Sequence, residues 1–93
     1  MTSLASLPGL GPKSQALLEN AGIRDRAALE KLGAVSAWRQ IRRHAGSAVS
    51  LNLLWALEGA LSGRHWQDIA RKERSRLLAE LAAQEELDLP NTL

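Results

Sequence analysis

The chain has 93 residues, of which 45% are hydrophobic, and a formal net charge of +2. This length and hydrophobic content are enough for one small domain with a single core but not for two. The chain contains no cysteine, which excludes disulfides and thiolate chemistry, and neither His44 nor His65 has a second histidine or a pair of carboxylates at metal-binding spacing. Because the sequence has neither a run of about 18 apolar residues nor a signal-type amino terminus, we expect a cytoplasmic protein without a membrane span.

The first element is a glycine-rich turn at residues 7–14, which runs straight into a helical pattern. Gly9 and Gly11 lack a Cβ atom, so a ligand could approach the backbone there. Pro12 suits the first turn of the following helix, where its missing N–H costs nothing. The N–H groups of that turn, the helix dipole and the Lys13 ammonium would all favour an anion.

This turn resembles the hairpin of helix-hairpin-helix proteins, which grip a DNA backbone without reading its bases. In that resemblance Leu4 and Leu7 give the apolar face of a short first helix, and Leu10 anchors the hairpin. Gln15 departs from the pattern, since a small residue is usual at its position. The first hypothesis is DNA-backbone contact through a set of turn residues: Gly9, Leu10, Gly11, Lys13 and Ser14. The alternative is a hairpin that serves only as a packing unit or a protein-binding surface.

The hairpin is followed by short helices that are separated by glycines. The pattern predicts a helix from about Pro12 to Ala21, which ends at Gly22. Asp25 then caps a two-turn helix, with Ala28, Leu29 and Leu32 on its apolar face, and Gly33 closes it. Sustained alternation of apolar and polar residues is missing, so no sheet is expected.

Residues 34–44 form the next predicted helix, with apolar positions at Val35, Trp38 and Ile41. Three arginines point away from this apolar face: Arg39, Arg42 and Arg43. They lie near the carboxyl end of the helix, where its dipole favours positive charge. They form either a solvated face or a patch that extends the phosphate contact of the hairpin.

A strongly apolar helix follows at residues 51–61, capped by Ser50, and we expect it to be the buried centre of the domain. Gly59 costs about 1 kcal/mol inside a helix relative to Ala, so its presence suggests that another helix crosses closely there. Trp55 lies off the main apolar stripe. Its ring is expected to pack in the core, although a base-stacking role is the alternative.

The last predicted helix runs from about Ile69 to Leu87, after a connection in which His65 and Trp66 close the core. Its charges oppose the helix dipole, with bases first and acids last. The bases are a candidate partner-binding set: Arg71, Lys72, Arg74 and Arg76. All 12 basic residues and six acids lie in residues 1–76, whereas residues 77–93 hold four acids and no base. Residues 88–93 are expected to fray.

Several segments together resemble the carboxy-terminal domain of the TfoX/Sxy competence regulators, over residues 4 to about 81. The most specific stretch is Leu51-Asn52-Leu53-Leu54-Trp55-Ala56-Leu57-Glu58-Gly59-Ala60-Leu61, followed shortly by His65-Trp66. The resemblance implies an all-helical domain of bacterial proteins that promote transcription of DNA-uptake genes beside a cyclic-AMP-responsive activator. A complete regulator of this family also carries an amino-terminal domain, whereas this sequence starts directly at the hairpin, so we expect either a stand-alone homologue or a fragment.

We therefore expect an all-α bundle of five or six short helices that begins with a helix-hairpin-helix-like unit, in a single domain at residues 1–87. An enzyme is disfavoured, because the sequence shows no acid pair, activated nucleophile, metal cluster or cofactor loop. Two functions stay open: a regulatory module that contacts double-stranded DNA without sequence specificity, and an adaptor that binds a transcription-regulator protein.

Overall fold

The computed structural model of the protein describes residues 10–46 and 49–87. Five helices occupy these ranges: α1 (Pro12–Asn20), α2 (Arg26–Ala45), α3 (Leu51–Ser62), α4 (Trp66–Lys72) and α5 (Arg74–Leu87). The all-α bundle predicted from the sequence is confirmed. The predicted first helix of the hairpin, with Leu4 and Leu7, lies outside the described residues, as do Gly9 of the turn and the predicted tail at residues 88–93.

The turn from α1 to α2 follows the predicted glycine and aspartate signals. Gly22 has a φ of +87°, which ends α1, and the amide of Ile23 donates to the Leu18 carbonyl at 2.8 Å. Ile23 is fully buried and supplies the hydrophobic contact of this cap. An Asp25 carboxylate oxygen accepts from the Ala28 amide at 2.8 Å and caps the start of α2.

Helix α2 is broken at Gly33, whose φ of +80° and ψ of 164° are not helical. This break separates the two short helices that the sequence predicts. Leu29, Trp38 and Ile41 are buried, as expected. Leu32 is 37% exposed, so its predicted place on the buried face is wrong. The chain changes direction directly after Leu32, and the turn before the break is anchored in the core by Leu29 instead.

Helix α3 is the centre of the bundle and packs against both α2 and α4. Leu54 and Leu57 are fully buried, and Trp55 is buried with them. The ring of Trp55 therefore packs in the core and is not available to stack on a base.

Gly59 is approached by backbone, as its presence in α3 suggests, but the backbone is that of the following connection and not of a crossing helix. A Cβ atom at this position would lie 2.5 Å from the Arg64 carbonyl oxygen and 3.3 Å from the Trp66 amide nitrogen. The Arg64 amide donates to the Gly59 carbonyl at 2.9 Å. Gly63, with a φ of +73°, makes the turn that folds the chain back onto α3.

The last part of the chain forms two helices where one was predicted. Helix α4 begins three residues before the predicted start because His65 caps it, its Nδ1 atom accepting from the Gln67 amide at 3.1 Å. Glu73, with φ −111° and ψ 1°, separates α4 from α5. Asp68 lies in the first turn of α4 and Lys72 in the last, which suits the dipole of that helix. The opposed charges predicted here therefore persist only in α5.

His65 and Trp66 do not close the core, contrary to the sequence-based expectation. Both are exposed, and their rings stack on each other with centroids 5.8 Å apart. Ile69, one turn further along α4, is fully buried and occupies the core in their place. The cap at His65 fixes the start of α4 so that Trp66 faces outward.

Arg64 ties the connection to both ends of α4. Its guanidinium donates to Asp68 at 2.8 Å and to Glu73 at 3.1 Å. The hydrogen bond from Arg64 lowers the pKa of Asp68, and hydrogen bonds from Arg76 and then Arg64 lower the pKa of Glu73. The stability that these carboxylates contribute is therefore present above their unfolded pKa values and is lost as the pH falls through the lowered values.

This network predicts a pH-dependent effect of replacing Arg64 with Gln. The variant should melt below the wild type at neutral pH, and the gap should narrow as the pH falls below the unfolded pKa values of these carboxylates and close only below their lowered values in the wild type. Thermal melts across this range measure the gap. Arg71→Gln, at an exposed position of α4, is the matched control and should show a small, nearly constant gap. A gap for Arg64→Gln that stays constant with pH would contradict the network.

Candidate nucleic-acid interface

An open depression of about 340 Å³ lies where the starts of three helices meet. Its lining combines residues from α1, from the segment that enters α3, from α3 itself and from the start of α4: Lys13, Ser14, Leu17, Val49, Ser50, Asn52, Leu53, Ala56 and Trp66. We call it the amino-terminal depression. Its floor is apolar, and Lys13 gives it a positive charge.

Two helix amino termini border this depression. Gly11 and Ser50 are the N-cap residues of α1 and α3, and neither makes a side-chain capping hydrogen bond. Ser50 is thus at the predicted cap position, but its hydroxyl does not cap the helix. The second residues of the two helices, Lys13 and Asn52, both line the depression. The first-turn N–H groups and the positive dipole ends of both helices therefore lie along one surface.

The described part of the hairpin turn keeps its anchor and leaves its glycine open. Leu10 is buried, as expected of an anchor, and Gly11 is exposed with no atom within 4 Å of the place of a Cβ. The Gln15 side chain donates to the Leu10 carbonyl at 3.4 Å. Gln15, at the position where hairpins usually have a small residue, thus braces the turn from the helix side. Gly9 lies outside the described residues.

The three arginines of α2 lie together at a second depression of about 370 Å³, lined by Arg39, Arg42, Arg43 and Glu85. We call it the arginine depression. Arg42 pairs with Glu85 at 3.7 Å, and its guanidinium carbon lies 5.4 Å from the centre of the Trp38 ring. Arg39 donates to the Gln84 side-chain oxygen at 3.3 Å.

The structure does not bring the two predicted basic groups into one depression. Lys13 and Ser14 line the amino-terminal depression, whereas the arginines line the other, and the two share no lining residue. Two residues that line these depressions, Trp66 and Glu85, were not predicted from the sequence. Trp66, 38% exposed, was expected in the core. Glu85 was not assigned to the arginines, although the concentration of acids in residues 77–93 was the available signal.

The candidate partner-binding bases of α4 and α5 are all exposed: Arg71, Lys72, Arg74 and Arg76. Two of them take part in ion pairs on the domain itself. Lys72 lies 3.4 Å from Asp68, and Arg76 contacts Glu73 at 2.7 Å and Glu58 at 3.3 Å. The pair with Glu58 fastens the start of α5 to α3.

The described ranges, 10–46 and 49–87, contain no group of three or more acidic, histidine or cysteine residues that could hold a metal ion. None of their helices is both long enough and apolar enough to cross a membrane.

Two known proteins are similar in sequence to most of this chain. Over 81 residues the chain is 32% identical to the DNA transformation protein TfoX of Haemophilus influenzae, which covers 87% of this chain and 37% of the relative. Over 62 residues it is 39% identical to Protein Sxy of Escherichia coli, which covers 67% of this chain and 29% of that protein. The chain thus spans between about a quarter and two fifths of the length of these relatives.

A solved structure has the same fold. The crystal structure of an uncharacterized protein from Listeria monocytogenes matches with a TM-score of 0.76 at 28% identity, over 90% of this chain and 94% of that one. The family match itself covers residues 1–81 and includes all the segments that carried the resemblance seen in the sequence. The chain belongs to the TfoX C-terminal domain family.

Proposed function

We propose that this domain is a non-enzymatic regulatory module that contacts the phosphate backbone of double-stranded DNA at the amino-terminal depression. Its role would lie in transcription or competence regulation, and the relative from Haemophilus influenzae is called a DNA transformation protein. One observation supports the proposal most directly: the first turn of α1, which includes Lys13, and the first turn of α3 border the same open depression.

Three groups would act on a phosphate in this depression. The exposed Lys13 ammonium supplies the charge, and the N–H groups at the start of α1 supply oriented donors. Ser14, half-buried beside them, offers a hydroxyl. Contacts of this kind position a protein on a duplex and carry no base sequence, so binding should be weak and sensitive to salt. The arginine depression would add a second contact with the backbone.

Reversing the charge at Lys13 tests the assignment. We expect Lys13→Glu to weaken binding of a labelled duplex by about tenfold or more at about 50 mM salt, because it replaces a phosphate-facing cation with an anion. Lys31→Glu is the matched control, since Lys31 is exposed on α2 and does not line the depression. Fluorescence anisotropy measures both. Equal losses of duplex affinity for the two variants would show that the amino-terminal depression is not the DNA-contacting surface.

The second candidate function is an adaptor for a transcription-regulator protein. The exposed Trp66 ring beside Leu17 and Leu53 favours it, because an aromatic anchor over an apolar floor is typical of protein-binding sites. The exposed Arg71 and Arg74 would add a charged rim. Titration calorimetry of the domain with a purified cyclic-AMP-responsive activator tests it. Binding of the activator that Trp66→Ser abolishes, together with no retention of duplex DNA, would favour the adaptor over the DNA contact.

A further inference from the structure

We propose that the carboxyl end of α5 masks the arginine depression, so that Glu85 competes with DNA phosphates for the arginines of α2. This inference rests on the proposed DNA contact and concerns its second, arginine-lined part. In this inference, the acidic end of α5 lowers the affinity of the domain for DNA.

The last turns of α5 are held over the arginines by a polar side chain. Gln84 is half-buried, and its side-chain oxygen accepts from the Ser36 hydroxyl at 3.2 Å and from Arg39 at 3.3 Å. The next residue, Glu85, reaches Arg42 at 3.7 Å and lines the arginine depression. Gln84 thus fixes the position of α5 on α2, and Glu85 supplies the anion.

The acids of this segment do not serve the stability of their own helix. Glu85 and Glu86 occupy the last turn of α5, where the helix dipole disfavours negative charge. The start of the same helix carries Arg74 and Arg76, which are also disfavoured there. Glu85 lies opposite the arginines of α2, so it compensates part of their charge across the interface between the helices.

The contact is weak enough to be displaced. The side chains of Arg42 and Glu85 are 53% and 49% exposed, and an ion pair so open to solvent contributes little. A duplex offers many phosphates in a row and gains further from the release of its counterions. A polyanion can therefore take the place of Glu85, whereas a single small anion gains too little to do so.

The test compares two doubly neutralised proteins of equal net charge. Glu85→Gln with Glu86→Gln removes the proposed mask together with the acid next to it in the chain, and Glu19→Gln with Glu30→Gln removes two exposed acids that do not line the arginine depression. Neutral residues suit the carboxyl end of a helix better than acids, so the first variant should fold, which its melting curve checks. Anisotropy titrations of a labelled duplex across a salt series give an affinity and a slope for each protein.

We expect the variant without the mask to bind the duplex about three- to tenfold more tightly than wild type at about 50 mM salt. Its salt slope should steepen by about one to two, because each arginine that engages a phosphate releases counterions. The control should gain less and keep the wild-type slope. Adding Arg42→Gln to the unmasked protein should cancel most of the gain, since the two changes then share one site.

The outcomes separate this inference from the function on which it rests. Equal gains and equal slopes for the two doubly neutralised proteins would overturn the mask while leaving a wild-type DNA contact that depends on Lys13. Binding by the unmasked protein alone would support the mask and overturn the contact in the wild type. Binding by none of the proteins would overturn both.

Discussion

Gly59→Ala is expected to lower the free energy of unfolding by about 2 to 3 kcal/mol, although alanine is the better helix former by about 1 kcal/mol. The added Cβ atom would lie 2.5 Å from the Arg64 carbonyl oxygen, a distance at which one of the two must move. That oxygen belongs to backbone, and the Arg64 amide is fixed by its hydrogen bond to the Gly59 carbonyl. The connection therefore cannot yield without losing this bond.

Thermal melts measure the loss, which corresponds to about 10 °C or more for a domain of this size. Gly11→Ala is the matched control, because nothing lies within 4 Å of the added atom and the φ of −85° is ordinary for alanine. It should change stability by less than about 1 kcal/mol, the usual size of an N-cap effect. A Gly59→Ala protein with the melting temperature of the wild type would contradict the close contact between Gly59 and the backbone of the connection.

Trp38→Ala is expected to cost about 3 to 5 kcal/mol, which is a large part of the stability of a small domain. Trp38 is 3% exposed, and its indole N–H donates to the Ser50 carbonyl at 3.0 Å. Truncation leaves a cavity in the core and removes one of two donors to that carbonyl, which still accepts from the Leu53 amide at 3.2 Å. Because Ser50 is the N-cap of α3, the loss also loosens the entry to the central helix.

Urea unfolding of two further variants separates these effects. Trp38→Phe keeps most of the ring and loses the hydrogen bond, so it should cost about 1 to 2 kcal/mol. Trp66→Ala, at a tryptophan that is 38% exposed, should cost clearly less than Trp38→Ala. Equal losses at Trp38 and Trp66 would contradict the placement of these two side chains.

The glycines explain why much of the fold could be predicted from the sequence. Gly22, Gly33, Gly46 and Gly63 all have positive φ and stand at the ends or breaks of helical segments. Such a conformation strongly favours a residue without a Cβ atom, so each glycine after an apolar-periodic segment predicts a helix end. Glu73 separates α4 from α5 although no glycine stands there, and the continuous apolar periodicity of this segment therefore predicted a single helix.

The parts of the candidate site that lie on one helix could also be predicted. Arg39, Arg42 and Arg43 meet because residues three and four apart share a helix face. The relation of Lys13 to this group depends on how α1 packs on α2, and no local pattern encodes that. Trp66 was placed in the core because it is large and apolar, yet the cap at His65 sets the start of α4 and turns the ring outward.

The two depressions differ in charge and in lining. The amino-terminal depression combines a cation, two helix starts and an apolar floor, while the arginine depression is charged and partly filled by Glu85. A regulator built in this way would hold a phosphate backbone at the first surface and tune its affinity at the second. The salt dependence of each contact is the property that most clearly distinguishes DNA binding from an adaptor role.

The most direct test of the DNA contact is the affinity of the wild-type chain for a labelled duplex across a salt series from about 50 to about 200 mM. Engagement of about two to four phosphates predicts that the logarithm of the association constant falls with the logarithm of the salt concentration, with a slope of about −2 to −4. Two duplexes of unrelated sequence should give the same line. Absence of retention at the lowest salt, or an affinity that does not change with salt, would contradict the account.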